Sequence, residues 1–387
     1  MRPLPDPDLS LRDASDFVFD SLLCRRALSK PSPSAIALVL RELITGIHRL
    51  TVSCHMPEFT DHGLGHLCSL IHRLSQWSVS GSGTTPRLLV EGLSEEECAV
   101  LLLATLLHDV GMLSQRPEDL PIDSPDVFKK PLRDVPTWVR KTHVQRLEGV
   151  ARRLFESAKL ASLLGDSVVK RSFAIAKAHS NWPWDWKFTD RDAALAALVA
   201  VADLLDEDSA RCDTATLLHH RLGTAENCAH WIRHGLTVGR VTVQQGQAVV
   251  KFARPPGTDS ELDRVFVALR NHYLLAHLYV DELAVVGGQF SIRFEPDGES
   301  PQELASELAG WERLPDFQTQ SALVFHLLGC FMPEALLDRR RVSDSNRKHL
   351  DALGLSEVEL SDFYMRRGIT YPRMPIEQSF LALLGRV

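Results

Sequence analysis

The stretch Ala99-Val100-Leu101-Leu102-Leu103-Ala104-Thr105-Leu106-Leu107-His108-Asp109-Val110-Gly111 is an apolar run that ends on two polar side chains. Ser94-Glu95-Glu96-Glu97 ahead of it is a good acidic start for a helix over Cys98–Asp109. An imidazole and a carboxylate at the inner end of a buried helix are costly unless something pairs with them. A metal ion supplies that partner. Nitrogen and oxygen donors of this kind suit Fe, Mn, Zn, Ni or Co.

Other segments offer matching donors. His66 lies in Thr60-Asp61-His62-Gly63-Leu64-Gly65-His66-Leu67-Cys68-Ser69-Leu70, and His143 in Lys141-Thr142-His143-Val144-Gln145-Arg146. His179 lies in Ala176-Lys177-Ala178-His179-Ser180, and Asp203 in Val201-Ala202-Asp203-Leu204-Leu205-Asp206, followed by Arg211. Each has an ordinary reading by itself: a hydrogen-bonded core histidine, a chance His-Asp pair, a solvated helix end at Asp206-Glu207-Asp208. Their order, one per successive helix, suits a bundle whose ligands converge on its core.

Composition narrows the classes. The chain has 387 residues, 44% hydrophobic and 24% charged, which is the balance of a folded protein long enough for more than one core. No apolar run approaches the ~18 residues of a membrane span, so no membrane partner is expected. Seven scattered cysteines without a C-x-x-C pair, and an N-terminus without an apolar signal core, point to a reduced, cytoplasmic protein. A net charge of -7 argues against a dominant grip on nucleic acid but leaves room for a local basic pocket. The histidine count, 16, is the unusual feature.

The periodicity predicts helices over 35–55, 65–77, 98–109, 139–161, 166–178 and 192–205, with Ser34 as a cap for the first of these. Prolines 117, 121, 125, 131 and 136 exclude regular helix between Gly111 and Pro136. Trp182, Trp184 and Trp186 sit in a loop that either packs on the bundle or stacks a base. Thr237–Val243 and Gln247–Phe252 flank a Gln-Gln-Gly turn and read as a hairpin. Leu283–Val286 and Gln289–Phe294, around Gly287-Gly288, read as a second one. The expected division is an arm at 1–34, a helical core at 35–235, a hairpin-and-helix part at 236–300 and a helical part at 301–387.

Over about residues 35–250 the chain resembles the HD superfamily of metal-dependent phosphohydrolases. The carriers are an early His (His66), a His-Asp doublet closing an apolar helix (His108, Asp109) and a late Asp in an Ala-Asp context (Asp203). Asp-His-Gly-x-x-His, Leu-Leu-His-Asp-Val-Gly-Met, Ala-Asp-x-Leu-Asp and the Cys228-Ala229-His230-Trp231 run are similar to one HD subgroup of bacterial conflict systems, often joined to an Hsp90-like ATPase. The fold implied is mainly α, an HD-type helical bundle with a smaller C-terminal α+β part containing β-hairpins.

The resemblance implies hydrolysis of a phosphoester or anhydride with a divalent metal (Mn, Fe, Mg, Ni, Co or Zn) held by His66, His108, Asp109 and Asp203, with Asp109 also catalytic as ligand or bridge that keeps the nucleophile oriented. His143 and His179 stand where two-metal members carry extra ligands, although Ser180 replaces a His often found next. If it is not a ligand, His143 is the best acid/base candidate. His62 is read as a phosphate or ligand-supporting residue, or as a structural partner of Asp61. Lys141, Arg146, Lys177 and Arg211 are candidate substrate cations. The substrate expected first is a deoxynucleoside triphosphate, cleaved to deoxynucleoside and triphosphate, with a role in antiviral defence. A phosphodiesterase or nuclease on cyclic or short oligonucleotides and a silent nucleotide sensor are the alternatives. A homo-oligomer, a nucleotide regulator and a partner protein from a defence operon complete the expectations.

Overall fold

A computed structural model of the chain describes residues 10–29, 33–53, 62–79, 86–114, 119, 135–157, 160–179, 188–208, 211, 234–235, 237–254, 276, 279–287 and 290–299. The architecture is mainly helical. The helices are α1 (Leu11–Asp20), α2 (Leu22–Ala27), α3 (Pro33–Ser53), α4 (Leu64–Gln76), α5 (Glu95–Leu107), α6 (Val135–Ser157), α7 (Ala161–Leu164), α8 (Asp166–Ala178), α9 (Asp190–Leu204) and α10 (Val280–Val285). None of these is long and apolar enough to cross a membrane.

The centre of the molecule is α5. Every residue from Glu97 to Leu107 is buried, as expected of a helix that is apolar on all sides. Ser94 starts it with a reciprocal capping pair: its hydroxyl accepts from the Glu97 N–H at 3.2 Å, and the Glu97 carboxylate accepts from the Ser94 N–H at 2.7 Å. Helices α2, α3, α4, α8 and α9 pack around it. The middle of α9, Ala194 to Ala202, is also buried throughout, and its small residues allow close approach. Phe17, Val18, Leu23 and Cys24 of α1 and α2 belong to the same apolar core.

Pro33 occupies the first turn of α3, so Ser34 lies inside the helix and not at its cap. A proline is well placed there because the missing N–H has no intrahelical acceptor. Two 3-10 turns, Leu89–Gly92 and Val110–Leu113, flank α5.

Strands β1 (Ser78–Val79) and β2 (Arg87–Leu88) form a small antiparallel pair. Strands β3 (Thr242–Gln244), β4 (Gln247–Arg254) and β5 (Ser291–Glu299) form a sheet in that order. The β3–β4 hairpin agrees with the sequence pattern and turns at Gln245 and Gly246, both with positive φ (51° and 78°). The second expected hairpin is corrected. Val280–Val285 is helix α10, and β5 pairs with β4 in parallel. The buried set there, Tyr279, Leu283 and Val286, recurs at four and three residues, which is a helical step. The segments 182–186, 228–231 and 301–387, and most of 115–134, lie outside the described residues.

Candidate metal centre

Four helix ends deliver the donors. His108 caps the C-terminus of α5, directly after Leu107, and Asp109 follows it at the head of the 3-10 turn. His66 is in the first turn of α4, His179 closes α8, and Asp203 is in the last turn of α9. His143 comes from α6, which packs directly on the 110–113 turn. Gly111 makes that approach possible: a Cβ at this position would overlap the His143 carbonyl oxygen.

The donor atoms form two groups that share Asp109: His66, His108, Asp109 and Asp203 in one, Asp109, His143 and His179 in the other. In the first, His66 Nε2 is 3.3 Å from Asp203 Oδ1 and 3.7 Å from Asp109 Oδ2. His108 Nε2 is 3.3 Å from Asp109 Oδ2 and 3.5 Å from Asp203 Oδ1. In the second, Asp109 Oδ1 is 3.6 Å from His179 Nε2 and 4.0 Å from His143 Nε2. One carboxylate thus presents a different oxygen to each group.

The tautomers test whether a cation fits. The Nδ1–H of His108 donates to the Thr105 carbonyl at 2.8 Å, that of His143 to Arg140 at 2.5 Å, and that of His179 to Ala176 at 2.7 Å. His66 Nδ1 is bonded to Asp206 at 2.6 Å. In the neutral rings each Nε2 therefore carries a lone pair, and these nitrogens face one another: His66 to His108 at 3.1 Å, His143 to His179 at 3.3 Å. Facing lone pairs at these distances repel unless a proton or a metal ion sits between them. Imidazoles whose other nitrogen is already committed are the usual form of a metal-binding histidine.

The electrostatics agree. Burial opposes a charge on His108, yet Asp109 and Asp203 outweigh it and hold its pKa well above the ordinary range. Burial likewise opposes ionisation of Asp109, but His108 and His62 keep its carboxyl well below the ordinary range. Without a metal, this pocket recruits protons as its positive charge. Burial and the neighbouring His179 push His143 down to about 4.

The centre opens on one side. His66 and His108 are closed off, whereas the side chains of Asp203, His143 and His62 retain 31%, 16% and 17% exposure. His62 Nδ1 lies 2.8 Å from Asp109 Oδ2 on this open side.

The candidate cations are more scattered. Arg211 bonds Asp206 Oδ2 at 3.0 Å, and its charge lowers the pKa of His62 when added to burial, which places it beside the centre. Lys177 is paired with Glu148 at 2.8 Å. Arg146 is fully buried against Trp138 and bonds Thr142 and the Val139 carbonyl. The side chain of Lys141 is outside the described set. Sequence reasoning passed over Ser69 and Arg73, which together with Arg211 surround Asp206. Their signal was only an unremarkable α4 sequence.

The HD-CE family model matches residues 56–284, more than half of the chain. The chain belongs to the HD-CE family. The HD-CE match spans His66, the His108-Asp109 doublet, His143, His179 and Asp203. No curated protein and no solved structure matches the chain.

Proposed function

We propose that this HD-CE protein is a metal-dependent phosphohydrolase that cleaves a nucleotide phosphoester at a centre holding two divalent cations. The observation that carries the reading is the sharing of Asp109 between two donor groups. His66, His108, Asp109 and Asp203 would hold one ion, and Asp109, His143 and His179 the other. Bound there, divalent cations supply Lewis-acid charge at a phosphoryl oxygen and acidify water at neutral pH.

The residues of the chain have complementary work. Asp109 orients both groups from one side chain. His62, on the open side and bonded to Asp109 Oδ2, is placed to hold or pass a proton at the substrate. Arg211 adds positive charge near the opening for a phosphate oxygen. The convergence of His143 with His179 favours in-line displacement at a diester, so a phosphodiesterase on cyclic or short oligonucleotides is the leading substrate class. A deoxynucleoside triphosphate triphosphohydrolase is the second reading. It is favoured by the looser, partly exposed position of His143, 4.0 Å from Asp109, which suits a base beside a single ion. The unbridged, buried Cys24, Cys68 and Cys98 support a cytoplasmic setting. A part in antiviral defence is supported by the subgroup resemblance alone.

The test is product analysis. The protein is incubated with Mn²⁺ and separately with each dNTP, each NTP, cyclic dinucleotides and a short single strand, with Asp109→Ala as control. Linearised or shortened oligonucleotides support the diesterase. Deoxynucleoside plus triphosphate transfers the assignment to the second reading. No product from any substrate, with metal bound, contradicts both and leaves a nucleotide sensor.

A further inference from the structure

His66 is gripped at both ring nitrogens by one short segment of chain. Asp203, in the last turn of α9, faces Nε2 at 3.3 Å, while Asp206, just past the helix, bonds Nδ1 at 2.6 Å. The two carboxylates are fixed relative to each other by the end of the helix, where the Asp206 N–H donates to the Asp203 carbonyl at 2.9 Å.

Asp206 has little freedom of its own. Its side chain is 1% exposed. Oδ1 accepts from the Ser69 hydroxyl and from both terminal nitrogens of Arg73, each at 3.1 Å. Oδ2 accepts from Arg211 at 3.0 Å and from His66. Arg73 is itself locked. One of its nitrogens also donates to the Ala202 carbonyl at 3.0 Å, and its Nε donates to the Val241 carbonyl at 3.0 Å, at the approach to β3. One guanidinium therefore ties together α4, α9, the sheet region and the carboxylate behind His66.

Two arginines and a hydroxyl would satisfy a buried carboxylate without any imidazole. The His66 ring is nevertheless turned so that Nδ1 meets Asp206 and Nε2 meets the other donors. We propose that Asp206, clamped by Arg73, is the positioning residue that fixes His66 as an Nε2 ligand of the metal centre. This rests on the reading of the centre as a metal site. Carboxylates behind ligating histidines set ring orientation and basicity, and their loss commonly weakens metal binding about 10- to 100-fold. Ser69, also on α4, holds the carboxylate oxygen that Arg73 uses and so belongs to the same support.

The experiment is a Mn²⁺ titration of the full-length metal-free protein, followed by electron paramagnetic resonance well below the thermal melt. Wild type, Asp206→Asn, Asp206→Glu and Ser69→Ala are compared. The expected result is about 10- to 100-fold weaker binding in Asp206→Asn, partial recovery in Asp206→Glu and a smaller loss in Ser69→Ala. A purely structural role would lower the melting temperature of Asp206→Asn and leave Mn²⁺ affinity of the folded protein unchanged; that result overturns the proposal. If Asp206→Asn does not fold, Ser69→Ala decides, and wild-type affinity there overturns it. A wild-type protein that binds no Mn²⁺ would instead defeat the metal-centre reading on which the proposal stands.

Discussion

His66 and His108 point their Nε2 atoms at each other across 3.1 Å, each with its Nδ1 already engaged elsewhere. With both rings neutral this would be a contact between two lone pairs, so a proton or a metal ion must occupy it, and a divalent ion competes with the proton for the place. Loading the centre should therefore stabilise the protein measurably. At a Mn²⁺ concentration 100 times a site's dissociation constant, each bound ion should add about 2.7 kcal/mol. Thermal melts with Mn²⁺ and with a chelator check this. Coincident melts would show that no ion prefers the folded state.

Gly111 sets how closely α6 approaches the end of α5, because a side chain there would strike the backbone of His143. Gly111→Ala should destabilise the protein by about 2 kcal/mol or more. It should also push His143 away from Asp109, so that metal is lost from the second group before the first. Denaturant unfolding and metal content of the folded fraction measure the two effects separately.

The start of α5 carries a pH signature. The hydrogen bond from Arg191 holds the Glu97 carboxyl down at about 2, from an ordinary value of 4.5, against the opposing effect of burial. A lowered carboxyl contributes stability above its unfolded value and loses it as the pH falls through the folded one. Between pH 5 and pH 2 the wild type should therefore lose about 1 kcal/mol more than Glu97→Gln, allowing for solvent screening of the partly exposed Arg191. Chemical unfolding across that range provides the comparison; parallel curves would remove this pair from the acid response.

The sequence exposed the centre unevenly. His108-Asp109 stood out because two polar groups closing an apolar helix conflict with burial, and that conflict is local and visible in the chain. Asp203 and His66 followed from the resemblance to the HD pattern of an early His and a late Asp in an Ala-Asp context. That Asp109 could be ligand or bridge followed from the resemblance, but the way its two oxygens divide between the donor groups was not legible, because it depends on the approach of α6 to Gly111, a contact between distant segments. Asp206 resembled a solvated helix end for the same reason: Arg73 lies 133 residues away in sequence. The second hairpin failed because Leu283-Ala284-Val285-Val286 is a short unbroken apolar run, which periodicity alone does not assign, and packing against α9 selects helix.

The claim that Asp109 serves two ions is tested most directly by counting them. Metal per folded chain is measured after Mn²⁺ loading and gel filtration for wild type, His143→Ala and Asp109→Ala, with turnover on the best substrate. The account expects two ions in the wild type, one in His143→Ala with turnover lowered at least about 100-fold, and none in Asp109→Ala with no turnover. An Asp109→Ala protein that keeps its metal, or a wild type that never exceeds one ion, would contradict it.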